Sequence, residues 1–167
     1  MGKTVLILLV LLGLGSNPVL ADEPQRVDLI LGLEVAFPQG WEEADQVAEP
    51  EIVRLGDELN NAVFSLFRYE LAGTSLEAFT DYMIDYFTEE GWEKTGEIEG
   101  YSWEGIGDGL ILPMESQLGE EDTLVARYLF FRIEDSYFLG RLAVAGQVWA
   151  EYTEDWELIR ENIRVRE

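Results

Sequence analysis

The sequence contains no histidine and no cysteine among its 167 residues. Without a histidine base, the Ser-His-Asp and Cys-His systems of nucleophilic catalysis have no counterpart in this chain. The same two absences exclude zinc sites of the usual nitrogen and sulfur kind, and they exclude haem and iron–sulfur ligation. We therefore predict a protein without a cofactor and without an enzymatic role.

Basic residues are also scarce. The chain has 11 of them and 34 acidic residues, so its formal net charge is −23. Lysine occurs only at Lys3 and Lys94. Such a chain repels nucleic acid and anionic lipid, so we expect neither as a partner. The acidity fits a solvated surface adapted to a saline exterior, and it also fits affinity for a basic partner or for divalent cations. The sequence leaves these interpretations open.

Long apolar runs are missing except near the N-terminus, where "TVLILLVLLGLG" follows Lys3. The run is shorter than the roughly 20 residues of a membrane-spanning helix. Val19 and Ala21 fit the positions that a signal peptidase recognises. This pattern predicts a signal peptide over residues 1–21, followed by a single domain over residues 22–167 with no membrane span. We expect a soluble product, exported to the periplasm or the extracellular medium.

The stretch "TSLEAFTDYMIDYFTEEGW", residues 74–92, predicts an amphipathic helix over about 75–90. At about 100° per residue, its aromatic and aliphatic side chains fall on one arc and its carboxylates on another. Thr74 and Glu77 have the spacing of a capping box. Gly91 is placed to end the helix in the left-handed conformation. The helix is therefore predicted to pack on the core with its acids facing solvent.

Most of the remaining chain alternates apolar and polar residues with the period of β-strands. Examples are "LEVAFP", "AVFSLFRYEL", "TLVARYLFFRIE" and "YFLGRLAVAGQV". Asp108 and Gly109 form a hairpin-turn signal, and Pro113 favours an edge strand. A second helix is predicted over about 153–162. Hairpin-connected strands with two main helices indicate an α+β fold with a central antiparallel sheet.

Two segments stand out: "LEVAFPQGW", a strand end followed by a turn, and "SLEAFTDYMIDYFTEEGW", whose first residues begin the helix. Together they resemble the PsbP/Mog1-like domain family. The resemblance extends over nearly all of residues 22–167. It implies a central antiparallel sheet flanked by helices and a non-enzymatic binding or accessory role. Members of the family have diverse partners, so the resemblance transfers neither a ligand nor a functional residue.

Candidate binding residues come from the aromatic and arginine side chains. Tyr82 and Tyr86 lie at the margin of the helix face, where they could contact a protein or a small hydrophobic or peptidic ligand. Three arginines lie in the later strands: Arg127, Arg132 and Arg141. They could pair with carboxylates across strands, or they could bind an anionic group of a ligand or partner. The full set of candidates is Tyr82, Tyr86, Trp103, Glu104, Arg127, Arg132 and Arg141.

Two further functions remain alternatives at this point. A carboxylate-dependent hydrolase resembling a glycosidase would need a pair of acids and a general acid with a raised pKa. Glu104, between Trp103 and Ile106, is the best single residue for that role. The other alternative is an acidic, salt-adapted structural or interaction protein. No metal site is predicted, although weak calcium binding at the acidic turns 56–61 and 119–122 stays open.

Overall fold

A computed structural model of the protein describes residues 23–57, 59, 61–119 and 122–166. The predicted signal peptide therefore lies outside the described residues. Within them, two antiparallel sheets and two α-helices form three layers. The strands and helices are numbered along the chain.

The larger sheet forms the middle layer. Its strands in spatial order are β3 (Glu42–Glu43), β4 (Glu51–Gly56), β5 (Ala62–Glu70), β10 (Ser136–Ala145), β9 (Thr123–Ile133), β8 (Gly107–Gln117) and β6 (Trp92–Lys94). Strand β7 (Glu99–Trp103) pairs with the first half of β8, while β6 pairs with its second half. The smaller sheet consists of β1 (Gln25–Asp28), β2 (Leu33–Phe37) and β11 (Ile163–Val165), with β2 in the centre.

Each face of the larger sheet carries its own apolar cluster, because side chains alternate between faces along every strand. One cluster holds Phe64, Phe131 and Phe138 against the smaller sheet and helix α2 (Thr153–Glu161). The other holds Tyr128 and Phe130 against helix α1 (Leu76–Glu89). Short 3-10 segments, Ile30–Gly32 and Gly146–Tyr152, join elements at the periphery. The α+β architecture with a central antiparallel sheet is as predicted.

Helix α1 matches its predicted span to within one residue at each end. Its N-cap is Ser75 rather than Thr74, and the Ser75 hydroxyl accepts a hydrogen bond from the Ala78 amide at 3.1 Å. The predicted N-cap is thus wrong by one position, and the predicted capping box is wrong, because the residue three after Ser75 is Ala78 rather than Glu or Gln. Gly91 has a φ of 87°, which is the left-handed conformation predicted for it.

Two predictions about β8 are wrong. Asp108 and Gly109 lie within the strand, and the turn that joins β7 to β8 precedes them at Glu104–Ile106. Pro113 is not on an edge strand, because β9 pairs with one side of β8 while β6 and β7 share the other. The Thr95 amide donates to the Pro113 carbonyl at 3.1 Å, so the proline nitrogen faces the gap between β6 and β7. A strand tolerates proline there because no ladder hydrogen bond is needed.

Strand β2 is buried along its whole length, including Glu34, whose exposed fraction is 0%. Its carboxylate accepts hydrogen bonds from Arg26 at 2.9 Å and Arg164 at 2.8 Å, and from Arg166. Burial raises the pKa of this carboxyl, but the three arginine side chains outweigh that effect and hold the pKa below its usual range. The cluster ties β1 and the C-terminal β11 segment to the central strand of the smaller sheet.

Replacing Glu34 with glutamine is expected to lower the free energy of unfolding by about 1.5–3 kcal/mol at neutral pH, because charge-assisted hydrogen bonds are lost. The folded-state pKa lies below the ordinary value of 4.5. This stabilisation is therefore fully present above the ordinary value and is lost as the pH falls through the folded pKa. Urea unfolding of both proteins at a series of pH values measures it.

Glu70→Gln is the matched control, because the Glu70 side chain is 74% exposed and pairs with Arg68 at the surface. Its effect should stay within about 0.5 kcal/mol. Glu34→Gln could instead lower the free energy of unfolding equally at acidic and neutral pH. That result would show that the carboxylate charge is not the source of the stabilisation.

Candidate binding groove

A cavity in the described part of the chain lies between α1 and the face of the larger sheet that α1 only partly covers. Its volume is about 490 Å³. We call it the α1 groove and define it by its lining residues: Pro50, Arg54, Phe67, Tyr69, Tyr82, Met83, Tyr86, Phe87, Tyr128, Leu139 and Arg141.

The groove exists because α1 packs mainly on β6 and β9 and leaves β4 and part of β5 uncovered. The buried apolar side chains of α1 are Phe79, Met83 and Phe87. Phe87 packs on Tyr128 with ring centroids 4.4 Å apart. Tyr82 and Tyr86 stand at the margin of this contact, 66% and 47% exposed, and form one rim. The buried face of α1 thus attaches the helix to the sheet, and its margin forms one wall of the groove.

A row of side chains runs along and beneath the groove floor on four neighbouring strands. The strand register pairs Arg54 with Ser65, Ser65 with Arg141, and Arg141 with Tyr128. Residues that are directly opposite in an antiparallel sheet project from the same face. Three polar atoms in this row are buried and have no hydrogen-bond partner among the described residues: Ser65 Oγ, Arg141 Nε and Tyr128 Oη.

Tyr69 and Tyr128 of the groove remain protonated at neutral pH. Burial raises the pKa of Tyr128 to about 12, although the neighbouring Arg141 opposes this effect. Burial also raises the pKa of Tyr69 above its usual range. The guanidinium carbon of Arg141 lies 5.8 Å from the centre of the Phe67 ring, within the range of a cation–π contact. The floor is therefore rich in hydrogen-bond donors and bordered by aromatic rings.

Of the residues singled out from the sequence, the structure brings Tyr82, Tyr86 and Arg141 together in the groove. Trp103 lies in the core, where its indole N–H donates to the Arg160 carbonyl at 2.6 Å. Glu104 is exposed in the β7–β8 turn and lines a separate cleft with Arg164 and Arg166.

The other two arginines are separated from the groove. Arg127 projects from the opposite face of the sheet, with its guanidinium carbon 4.5 Å from the centre of the Trp149 ring. Arg132 pairs with Asp135 at 3.1 Å in the β9–β10 hairpin and stacks on Tyr137. Arg132 was predicted to pair with a carboxylate on a neighbouring strand, but it pairs with Asp135, three residues along the chain. The three arginines do not form one basic patch.

Sequence reasoning did not identify Arg54, Phe67, Tyr69 and Tyr128 as groove residues. The period-two pattern of β5 and β9 places Phe67, Tyr69 and Tyr128 on defined faces of their own strands. It does not show which faces meet, because the register between distant strands is absent from the local pattern. The detectable signals were the margin of the helix face and the scarcity of arginine, which singled out Arg141.

Carboxylates are absent from the groove lining among the described residues. No group of three or more acidic side chains in that part of the chain is arranged to hold a metal ion. The two turns considered for weak calcium binding include residues 58, 60, 120 and 121, which lie outside the described residues. None of the described helices has the length and apolar character needed to cross a bilayer.

No family model and no curated protein matches this sequence. Several solved structures do match its fold. Cyanobacterial PsbP (CyanoP) from Synechocystis is 16% identical with a TM-score of 0.64, over 93% of this chain and 99% of that chain. The Ran-binding protein Mog1p of Saccharomyces cerevisiae is 13% identical with a TM-score of 0.62, over 85% and 95%. LpqN, involved in cell envelope biogenesis of Mycobacterium tuberculosis, is 10% identical with a TM-score of 0.55, over 87% of each chain. The chain therefore has the PsbP/Mog1-like fold, as its two characteristic segments predict.

Proposed function

We propose that this chain is an exported, non-catalytic binding domain that holds a small apolar or peptidic ligand in the α1 groove. The observation that carries this proposal is the groove itself. It has a volume of about 490 Å³ and is bordered by six aromatic rings. Small-molecule sites in proteins typically have volumes of about 300–1,000 Å³ and predominantly apolar walls with a few polar groups. Export is supported by the signal-peptide pattern of residues 1–21.

A non-catalytic role is supported by the side chains available. The chain has no histidine and no cysteine, and the described groove lining has no carboxylate. A hydrolase of the glycosidase kind would require two acids on either side of the scissile bond. Glu104, the best single acid from the sequence, lies in a different cleft from the groove. Mog1p is described as a Ran-binding protein, which supports a protein partner as a further ligand class for this fold.

Truncating the rim should weaken ligand binding. Tyr82→Ala and Tyr86→Ala are each expected to reduce the affinity for decanamide, a neutral amphiphilic probe, about 3–10-fold, because each removes one aromatic contact. Isothermal titration calorimetry measures the affinity, and amide chemical shifts in the NMR spectrum locate the bound probe.

Leu118→Ala is the control, because Leu118 is a large apolar side chain that is 64% exposed and is not part of the groove lining. Its affinity for decanamide should equal that of the wild type. Chemical-shift changes spread over the whole surface, or unchanged affinity in both tyrosine variants, would contradict the groove as the binding site. Metal-free hydrolysis of esters or glycosides that disappears in Glu104→Gln would contradict the non-catalytic role.

A further inference from the structure

The charge of the groove lining is opposite to that of the whole chain. The chain has a formal net charge of −23, with 34 acidic residues against 11 basic ones. Yet the described lining contains two arginines, Arg54 and Arg141, and no acid. The field of an acidic protein disfavours anions at most of its surface, whereas cations in a partly dry groove act on a bound anion with little screening. The groove is therefore a local site for negative charge.

The two arginines differ in how their charge is compensated. Arg54 forms a two-point contact with Glu51, at 2.9 Å from Nε and 2.5 Å from Nη2. The Glu51 side chain is only 5% exposed, so this ion pair is partly enclosed. Arg141 forms no ion pair with any carboxylate of the described residues. It is the uncompensated cation of the groove.

The hydroxyl groups beside Arg141 are buried and unpartnered among the described residues. Ser65 and Tyr128, which flank it in the row across the sheet, are both 0% exposed. Neither hydroxyl has a partner among the described residues, and the Nε of Arg141 has none either. Buried polar groups in folded proteins are nearly always hydrogen-bonded. The Nε–H of Arg141 can only donate, whereas each hydroxyl can donate as well as accept, so an acceptor that enters the groove can pair with this row.

A carboxylate fits these donors better than other anions. The guanidinium is planar and presents paired N–H groups that match the two oxygens of a carboxylate. A single negative charge is also repelled less by the acidic chain than a doubly charged phosphate would be. The rings of Phe67, Tyr69 and Tyr86 provide apolar contact for the rest of the molecule.

Resting on the proposed function of the groove, we propose that its ligand is a small organic monocarboxylate with an apolar body. Its carboxylate binds the guanidinium of Arg141 beside the Tyr128 hydroxyl, and its apolar part lies between Phe67, Tyr69 and the α1 rim. Arg141 is a specificity-determining residue of this site.

The test compares decanoate with decanamide, two probes of equal chain length that differ in charge. The wild-type protein is expected to bind decanoate about 10-fold or more tightly than decanamide, the effect of one charge-assisted contact. Arg141→Met keeps much of the apolar stem and removes the charge. It should lower the affinity for decanoate by about the same factor and that for decanamide much less, so that the preference for decanoate is lost. Calorimetry at constant ionic strength measures both affinities.

Arg127→Met is the matched control, since it removes the same charge from the opposite face of the same sheet. It should preserve the preference for decanoate. Two measurements need only the wild-type protein. One is the ratio of its affinities for decanoate and decanamide, and the other is the NMR shift of the Arg141 side-chain N–H. Decanoate should move that signal and decanamide should not, which tests the contact even if Arg141→Met fails to fold.

Each other outcome has a definite meaning. Equal affinity of both probes in the groove would overturn the carboxylate inference and leave the proposed function intact. Binding of neither probe would overturn both. An equal loss in Arg127→Met would show a general charge effect and overturn the role of Arg141. Tighter binding of a hydrophobic tripeptide with a free C-terminal carboxylate would overturn the assignment to a small molecule.

Discussion

Replacing Phe79 with alanine is expected to lower the free energy of unfolding by about 3–5 kcal/mol. Phe79 is 1% exposed and forms the centre of the contact between α1 and the sheet. Its ring centroid lies 5.4 Å from that of Tyr69, 6.2 Å from that of Phe130 and 5.1 Å from that of Tyr137. Alanine would leave a cavity among rings that are themselves held by the sheet and cannot collapse to fill it. Urea unfolding followed by circular dichroism measures the loss.

Tyr82→Ala is the control for this prediction, because Tyr82 lies one turn further along the same helix but is 66% exposed. Its effect on stability should stay within about 0.5 kcal/mol, the range of ordinary surface substitutions. If the two variants lose similar amounts of stability, α1 does not depend on Phe79 for its attachment to the sheet. Some other contact would then have to hold α1 in place as one wall of the groove.

Gly109→Ala is expected to destabilise the protein by about 3 kcal/mol, which is large for the addition of one methyl group. A Cβ atom at this position would lie 2.4 Å from Cζ3 of Trp103 and 2.5 Å from the carbonyl oxygen of Phe130. Neither neighbour can move easily. Trp103 is 4% exposed and hydrogen-bonded to Arg160, while Phe130 belongs to the central strand β9. Thermal and urea unfolding measure the change.

Two further variants make this prediction specific. Gly100→Ala adds the same methyl group on the adjacent strand β7, where nothing lies within 4 Å of the new atom. It should be nearly neutral. In a Trp103→Leu background, the cost of Gly109→Ala should fall, because the nearest clashing ring carbon is gone. An unchanged cost in that background would point to the Phe130 carbonyl as the whole obstacle and would contradict the role of Trp103.

The first helix and the fold class could be predicted because both depend on local pattern. The residues of α1 repeat with the period of a helix, so Phe79, Met83 and Phe87 fall on the face that the structure buries. The alternating segments and their connections are enough to indicate an antiparallel α+β sheet. The margin position of Tyr82 and Tyr86 also follows from the helical period. The helix side of the groove rim is therefore encoded in local sequence.

The groove floor could not be predicted, because it is assembled across strands. Arg54, Ser65, Arg141 and Tyr128 are far apart in sequence, and the strand register alone places them in one row. The same limitation explains Glu34, which alternation places opposite the apolar residues of β2. Its arginine partners Arg164 and Arg166 are 130 and 132 residues away. It also explains Asp108 and Gly109, which form a turn signal locally but lie in a strand.

The properties of this protein thus fall into two groups, those that local sequence determines and those that only the tertiary structure determines. Composition and short-range periodicity establish which chemistries are missing, where α1 lies and which strands form. These properties depend on side-chain type and on neighbours a few residues apart, so the linear chain contains them. The identity of the uncompensated arginine, the burial of Trp103 and the requirement for glycine at position 109 arise from contacts between distant strands. Such contacts depend on register and on how two layers pack, and these are properties of the folded molecule.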